Sequence, residues 1–320
     1  MGRYLVTGGA GYIGSHIVDR LLLNGHQVVA LDNLSTGQSK FMENASRYSN
    51  FTFVCRDILH FAEIVDEFRD IDAVFHFAAN ADVKNGWKQP QKDLEENIIG
   101  TSNVLEAMRE NGCKNIIFAS TSAVYGDPIE HPTSENTVFP KQTSFYGASK
   151  MAAEGFVSSY CEGYDFTGTA FRFVTVLGQR YPHGFVYDWV KRLRDNPKEL
   201  KIFGDGTAIK SSLNIRDCVD AIMLLGLHRE TTGYEVYNIG TEETYTVKEA
   251  AHWVCDELKI NPNLNFGNTK RGWPGDSVHL HLDISKAKVA GWTPKYGVEA
   301  TVRETARWVN SNTWLFDLRT

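Results

Sequence analysis

Thr7-Gly8-Gly9-Ala10-Gly11-Tyr12-Ile13-Gly14 decides how this chain is read. The octet follows the apolar run Tyr4–Val6 and leads into an amphipathic stretch, Ile13–Leu23, that stops at Gly25. It satisfies GxxGxxG through Gly8, Gly11 and Gly14, and GxGxxG through Gly9, Gly11 and Gly14. Glycine suits this place because the backbone must turn tightly and approach a pyrophosphate closely. The helix that follows offers free N–H groups and the positive end of its dipole to the phosphates. A glycine pattern alone is weak evidence; the strand before it and the helix after it supply the context the mechanism needs. Asp32 closes the next apolar run, Gln27–Leu31, 18 residues after Gly14. A carboxylate there accepts hydrogen bonds from the adenosine ribose and repels a 2′-phosphate, so NAD is expected rather than NADP.

Outward from the octet, short apolar runs alternate with helix-length segments. Phe51–Cys55, Ala73–Phe77 and Asn115–Ala119 continue the strands. Phe61–Phe68 and Leu94–Glu110, the latter stopped by Gly112, continue the helices. Strands this apolar are buried on both faces, as in a parallel sheet covered by helices. The alternation predicts an α/β fold with a doubly wound parallel sheet of the Rossmann type. After Arg172 the rhythm changes, and the helices Val219–Leu227 and Val247–Leu258 no longer alternate cleanly with strands. The expected organisation is an NAD-binding domain over residues 1–172 and a smaller α+β substrate domain over 173–320. A late strand at Glu235–Ile239 is expected to rejoin the first sheet.

Composition agrees with an ordinary globular chain: 320 residues, 42% hydrophobic and 22% charged. The net charge of −6 makes sequence-independent nucleic-acid binding unexpected, because that needs a basic face to displace counterions. The five cysteines show no CxxC or Cys/His metal spacing, and their odd number argues against a disulfide framework. His76, His183, His279 and His281 likewise form no ligand spacing on one helix face, so no metal is expected. No apolar run approaches membrane-spanning length, and Met1–Val6 runs directly into a strand with no apolar leader; a cytoplasmic location with no membrane partner is the expectation.

Tyr146-Gly147-Ala148-Ser149-Lys150 is a YxxxK spacing. On a helix, i and i+4 side chains share a face, so the ammonium can lie near the phenol. A free tyrosine has a pKa near 10, and a lysine together with a positive nicotinamide ring is a credible field to lower it. Tyr187 and Lys191 repeat the spacing, so context must separate the pairs. Upstream of Tyr146 the strand Asn115–Ala119 ends in Ser120-Thr121-Ser122-Ala123-Val124-Tyr125-Gly126. Ligands of open α/β sheets lie beyond the carboxyl ends of strands, which puts these hydroxyls near the cofactor. Tyr187 has no such neighbour.

These features together resemble the extended short-chain dehydrogenases/reductases, and within them the UDP-glucose 4-epimerase group. The likeness is carried by TGGAGYIG at Thr7–Gly14, Asp32-Asn33, Asp57-Ile58, His76-Phe77-Ala78-Ala79, Asn97, STSAVYG and YGASK. In the second half it continues through Phe171-Arg172-Phe173, His183-Gly184, Ile202-Phe203-Gly204-Asp205-Gly206 and Arg271-Gly272-Trp273-Pro274-Gly275-Asp276. The resemblance implies that Tyr146 takes the proton from the sugar 4-hydroxyl and that Lys150 holds the nicotinamide ribose. It makes Thr121 the hydroxyl that shares a hydrogen bond with the substrate oxygen. Transient oxidation at sugar C4, rotation of the 4-keto sugar and return of hydride would then invert C4. The implied cofactor contacts are Gly8, Gly11, Tyr12, Ile13, Gly14, Asp32, Asn33, Asp57, Ile58, Phe77, Ala78, Ala79, Asn97, Ala119 and Phe173, with Tyr146 and Lys150. The implied contacts to the nucleotide-diphosphate sugar, UDP-sugar favoured, are Thr121, Tyr146, Thr175, Val186, Phe203, Lys210 and Arg271.

Related dehydratases carry an Asp-Glu pair after the threonine, and related decarboxylases a glutamate two residues before the tyrosine of VYG. This chain has Ser122-Ala123 there, with no carboxylate to expel water, which favours epimerisation. A nucleotide-sugar dehydratase or reductase, or an epimerase of UDP-glucuronate or a UDP-N-acetylhexosamine, stays as the alternative. Thr175, Gln179, Gly86 and Ser212 stand where the group usually has asparagine, proline, serine and an aromatic residue, so the sugar is left open. The resemblance also implies a homodimer packed through Leu94–Glu110 and Ala148–Cys161.

Overall fold

The computed structural model describes residues 1–84, 86–137, 141–227 and 232–318. The chain divides into two compact units, each assembled from three segments. The first comprises Met1–Val124, Gln142–Arg172 and Val219–Tyr237; the second comprises Tyr125–Lys141, Phe173–Cys218 and Asn238–Thr320.

The first unit is organised by a seven-stranded sheet. In chain order its strands are β1 (Arg3–Thr7), β2 (Gln27–Asp32), β3 (Phe51–Cys55), β4 (Ala73–His76), β5 (Asn115–Thr121) and β6 (Thr167–Phe173). The late strand Gly233–Ile239 joins them, and the spatial order is Gly233–Ile239, β6, β5, β4, β1, β2, β3. Leu5 of β1 pairs in parallel with Val29 of β2 on one side and Val74 of β4 on the other. The chain thus winds outward from β1 through β2 and β3, then crosses back to β4. That reversal is the switch point at which open α/β sheets leave a crevice beyond the strand ends.

Burial explains why the central strands read as unbroken apolar runs. All four residues of β4 are buried, whereas β3, at the edge, is only partly covered. Leu5, Leu31, Val74 and Phe118 pack with Val104, Leu105 and Met108 of a covering helix, and each contributes about 1.5–3 kcal/mol on burial.

The helices of this unit include α1 (Tyr12–Leu23), α2 (Phe61–Ile64), α3 (Pro90–Asp93), α4 (Gly100–Glu110) and α5 (Phe145–Tyr164), with most of a later helix, Ile215–Gly226. Two segments expected to be single helices are divided. Phe61–Phe68 becomes α2 followed by a 3₁₀ turn, Val65–Phe68, before Asp70 reverses the chain at φ 57°. Leu94–Glu110 opens with a π-helical turn, Leu94–Ile99, ahead of α4. The wider turn lets both Asp93 and Asn97 face inward, where each is 1% exposed.

In the second unit, helices Phe185–Asp195, Val247–Leu258 and Val298–Ser311 pack against one another. Three two-stranded pairs complete it: Thr175–Leu177 with Ser212–Asn214, Glu199–Ile202 with Asn263–Phe266, and Ile209–Lys210 with Tyr245–Thr246. Thr246 and Glu249 form a capping box at the start of Val247–Leu258, fixing that boundary where the sequence puts it. Among the described residues no helix is long and apolar enough to cross a membrane.

Candidate active site

The glycine loop is built as a cradle. Gly8 takes φ +67°, and a Cβ there would lie 2.6 Å from the backbone nitrogen of Ala78. A Cβ on Gly14 would collide with the Gly8 carbonyl oxygen, so only glycine lets α1 start this close to the loop. Gly11 is the N-cap of α1, with no side-chain cap and no acidic residue in the first turn. Its first N–H groups and its positive dipole end are left for an anion.

At the end of β2, Asp32 is buried and accepts from the backbone N–H of Ala10 at 3.0 Å and of Leu34 at 2.8 Å. Burial raises its pKa, and the two N–H donors pull it back. Each carboxylate oxygen keeps a further lone pair for a ribose hydroxyl. Asn33 donates to Asp57 at 2.8 Å, and Asp57 also accepts from Leu59 N–H, tying the second strand's end to the third's. Ile58 is buried against Gly100, where a Cβ would collide with it. Phe77, Ala78 and Ala79 after β4, and Ala119 and Thr121 in β5, are partly exposed at the ends of otherwise buried strands. Uncapped helix, inward carboxylate and open strand ends together fit a dinucleotide such as NAD.

Tyr146 and Lys150 lie one turn apart on α5, whose first turn is capped by Ser144 accepting from Gly147 N–H at 3.0 Å. Tyr146 is partly exposed; the surrounding protein pushes its phenol up to about 12, the Thr121 hydroxyl pulls it down, and the charge of Asp93 raises it. Thr121 Oγ1 accepts from Ala123 N–H at 3.1 Å, which leaves its proton to donate. Lys150 is 2% exposed, with Nζ 4.3 Å from the Phe118 ring centroid and no hydrogen bond or ion pair among the described residues. Burial drives its pKa down to about 7, opposed by the charge of Glu154. The protein's own groups therefore hold the phenol neutral and the ammonium labile. Below them, His76 is fully buried between Thr7 Oγ1 at 2.6 Å and Thr101 Oγ1 at 2.9 Å, and its pKa falls to about 3 through burial and the Lys150 charge.

The two hydroxyls that end β5 have different fates. Ser120 turns inward and hydrogen-bonds Glu154, while Thr121 is within reach of Tyr146. Tyr187 of the second YxxxK is buried, with its hydroxyl donating to the Leu315 carbonyl at 3.1 Å, a core role.

Sequence reasoning missed Glu154 and Asp93 behind the pair, and gave Asn97 as a cofactor contact without its internal partners. Glu154, one turn past Lys150, meets Arg172 in a bidentate pair at 2.7 and 3.0 Å and accepts from Tyr234 at 3.1 Å. Asn97 donates to Ser149 Oγ at 2.9 Å, and Asp93 accepts from Asn80 at 2.9 Å. The four-residue spacings 150/154 and 93/97 were visible in the sequence; their partners on other elements were not.

The second unit holds the residues expected to meet the rest of a sugar nucleotide. Phe203 and Gly204 line a cavity of about 430 Å³ with Phe266, Gly267 and Thr269. Lys210 Nζ pairs with Asp276 Oδ1 at 2.8 Å, and Arg271 pairs with Asp127 while donating to the Asp276 carbonyl at 2.9 Å. Thr175 pairs in register with Ser212, Phe173 is buried, and Val186 is wholly enclosed in the core of this unit. Among the described residues no group of three or more His, Cys, Asp or Glu side chains could hold a metal ion.

Fold, loop and Tyr–Lys helix define a nucleotide-binding protein of the extended short-chain dehydrogenase/reductase kind. Residues 4–240 match the NAD dependent epimerase/dehydratase family, and the chain belongs to it. It is 33% identical over 317 residues to the UDP-glucose 4-epimerase of Mycolicibacterium smegmatis, covering 95% of this chain and 97% of that one. It is 32% identical over 324 residues to the dTDP-D-glucose 4,6-dehydratase of Mus musculus, covering 97% of this chain and 89% of the relative. The UDP-glucose 4-epimerase of Thermus thermophilus, solved in complex with NAD, superposes with a TM-score of 0.85 at 33% identity, over 96% of this chain and 98% of that one.

Proposed function

We propose that this protein is an NAD-dependent nucleotide-sugar 4-epimerase that interconverts UDP-glucose and UDP-galactose. The observation that carries the reading is Thr121, Tyr146 and Lys150 gathered at one strand end with Ser122 and Ala123, not carboxylates, beside them. Such a set can move a proton at a hydroxyl and has no side-chain acid to expel water.

As its phenolate, which the Lys150 ammonium and the positive ring of bound NAD would stabilise, Tyr146 accepts the proton of the sugar 4-hydroxyl and later returns it to the same oxygen. Thr121, its own oxygen occupied by Ala123 N–H, donates to that oxygen and keeps it oriented. Lys150, with no hydrogen-bond partner among the described residues, donates to the nicotinamide ribose. Asp32 holds the adenosine ribose, and the first turn of α1 holds the pyrophosphate. NAD supplies a reversible hydride acceptor when bound. In the second unit, Arg271 and Lys210 balance the substrate diphosphate, Phe203 borders the nucleotide and Thr175 the sugar; Val186, expected from the resemblance to touch the sugar, is fully buried in the core and does not.

Incubation of the protein with UDP-galactose should yield UDP-glucose without stoichiometric NADH. A product lighter by one water would favour the dehydratase reading instead, and no interconversion of any UDP-, GDP-, CDP- or dTDP-sugar would sink the epimerase reading.

A homodimer is part of the same proposal. Leu94, Ile99, Met151, Phe156 and Tyr164 leave apolar surface exposed along the π-turn and α5. A monomer mass by light scattering at micromolar concentration would count against it. Cysteines 113, 161, 218 and 255 are buried and form no disulfide among the described residues, which suits the reducing cytoplasm.

A further inference from the structure

The π-turn and the short helix before it carry a buried polar cluster whose carboxylate, Asp93, has no part in the cofactor contacts or the Tyr146–Lys150 pair described above. Asp93 Oδ1 accepts from Asn80 Nδ2 at 2.9 Å and from Asn97 Nδ2 at 3.3 Å. Asn97 Oδ1 accepts from Asn80 N–H at 2.8 Å, and its amide is shared with the Asn80 carbonyl at 3.1 Å and Ser149 Oγ at 2.9 Å. Ser149 in turn donates to the backbone carbonyl of Tyr146 at 2.9 Å. A carboxylate on α3 is thereby linked, through two side chains, to the peptide of Tyr146 on α5.

A second observation sets Asp93 apart. Its other oxygen, Oδ2, is buried with no hydrogen-bond partner among the described residues and lies toward Gly86, where a Cβ would come within 2.8 Å of it. Enclosing a carboxylate oxygen without a donor opposes folding, because the group loses its hydration and gains nothing in return. An asparagine would offer Asn80 and Asn97 the same acceptor without the buried charge. A charge kept at such a cost beside a titrating tyrosine points to a role in that titration.

We infer that Asp93 is a positioning residue for Tyr146: it holds the Tyr146 turn through Asn97 and Ser149 and sets a fixed negative charge beside the phenol. The inference rests on Tyr146 being the proton-transfer group of the proposed reaction. A residue that takes a proton and must return it to the same oxygen cannot stabilise its phenolate too strongly, and a neighbouring carboxylate keeps it basic. The groups acting on Tyr146 are Thr121 of β5 and Asp93 of α3; Asp82 and Lys92 act in turn on Asp93. Burial raises the Asp93 carboxyl, and the Asn80 donor opposes this.

The test compares Asp93→Asn, Asp93→Ala and Tyr146→Phe with the unaltered protein, using UDP-galactose as substrate. Asp93→Asn keeps the Oδ1 acceptor and removes the charge. The limb of kcat/KM set by phenol ionisation should move down by about half to one pH unit, with kcat held within about threefold. Asp93→Ala removes the anchor, and kcat should fall about tenfold with KM within about twofold. An Asp93→Asn profile at the unaltered pH, or an Asp93→Ala kcat equal to the unaltered one, overturns the inference. If Asp93→Ala does not fold, the Asp93→Asn profile decides alone. An active Tyr146→Phe enzyme would overturn the tyrosine reading; an inactive one with an unshifted Asp93→Asn profile overturns only the role of Asp93.

Discussion

Lys150 in the first unit and Lys210 in the second are both withdrawn from water, yet they are treated in opposite ways. Among the described residues, Lys150 has no hydrogen bond or ion pair, an aromatic face lies beside its ammonium, and its proton becomes labile near neutrality despite the Glu154 charge. Lys210 is clamped by the Asp276 carboxylate and hydrogen-bonds the Ser277 carbonyl. Desolvation without a partner yields a cation that a ligand can complete and whose charge responds to its surroundings. Desolvation with a carboxylate yields a fixed charge suited to orientation. Arg271 extends the second pattern, since it is paired with Asp127 and braced on the backbone at Asp276.

The largest test of this contrast is Tyr146→Phe, which should lower kcat about a thousandfold while leaving NAD binding within a few-fold, read by steady-state turnover and cofactor titration. Lys150→Met should cut kcat roughly a hundredfold and yet raise stability at pH 7 by about 1–3 kcal/mol, read by denaturant unfolding. The sign follows from the protons. Unfolded Lys150 keeps its proton to 10.5 and the folded residue releases it at about 7, so the unfolded chain binds more protons in between. Stability of the unaltered protein should therefore rise with pH across that window, and Lys150→Met should flatten the slope.

Arg271→Ala should raise KM for UDP-galactose about ten- to a hundredfold with kcat nearly unchanged, because a charged hydrogen bond is worth about 1.5–3 kcal/mol. Smallest is Asp127→Asn. It frees Arg271 from an exposed pair worth about 0.2–1 kcal/mol and should tighten UDP binding up to about fivefold by calorimetry. Weaker UDP binding in that variant would mean that Asp127 orients Arg271 instead of competing for it.

How far the sequence could be read depended on how local each signal is. The glycine octet, Asp32 and the YxxxK helix are legible because each is a short stretch whose chemistry depends on its immediate neighbours. The division of Leu94–Glu110 into π-turn and α4 was not legible. Hydrophobic spacing averages over such a change, and the inward turn of Asn97 is rewarded only by Asn80 and Ser149 on other elements. The second unit is harder still, since its short strand pairs join residues far apart in the chain, such as Thr246 with Ile209.

By itself, the sequence determined the parallel α/β sheet, the dinucleotide loop and which of two identical Tyr–Lys spacings has hydroxyls beside it. Periodicity and glycine placement are enough for these, because they are written in consecutive residues. Only the tertiary structure decided that Ser120 turns inward to Glu154 while Thr121 reaches Tyr146, that Lys150 forms no ion pair among the described residues while Lys210 does, and that Asp93 is linked to the Tyr146 turn. Those outcomes depend on desolvation and on donors brought in from distant segments, and neither exists until the chain has folded.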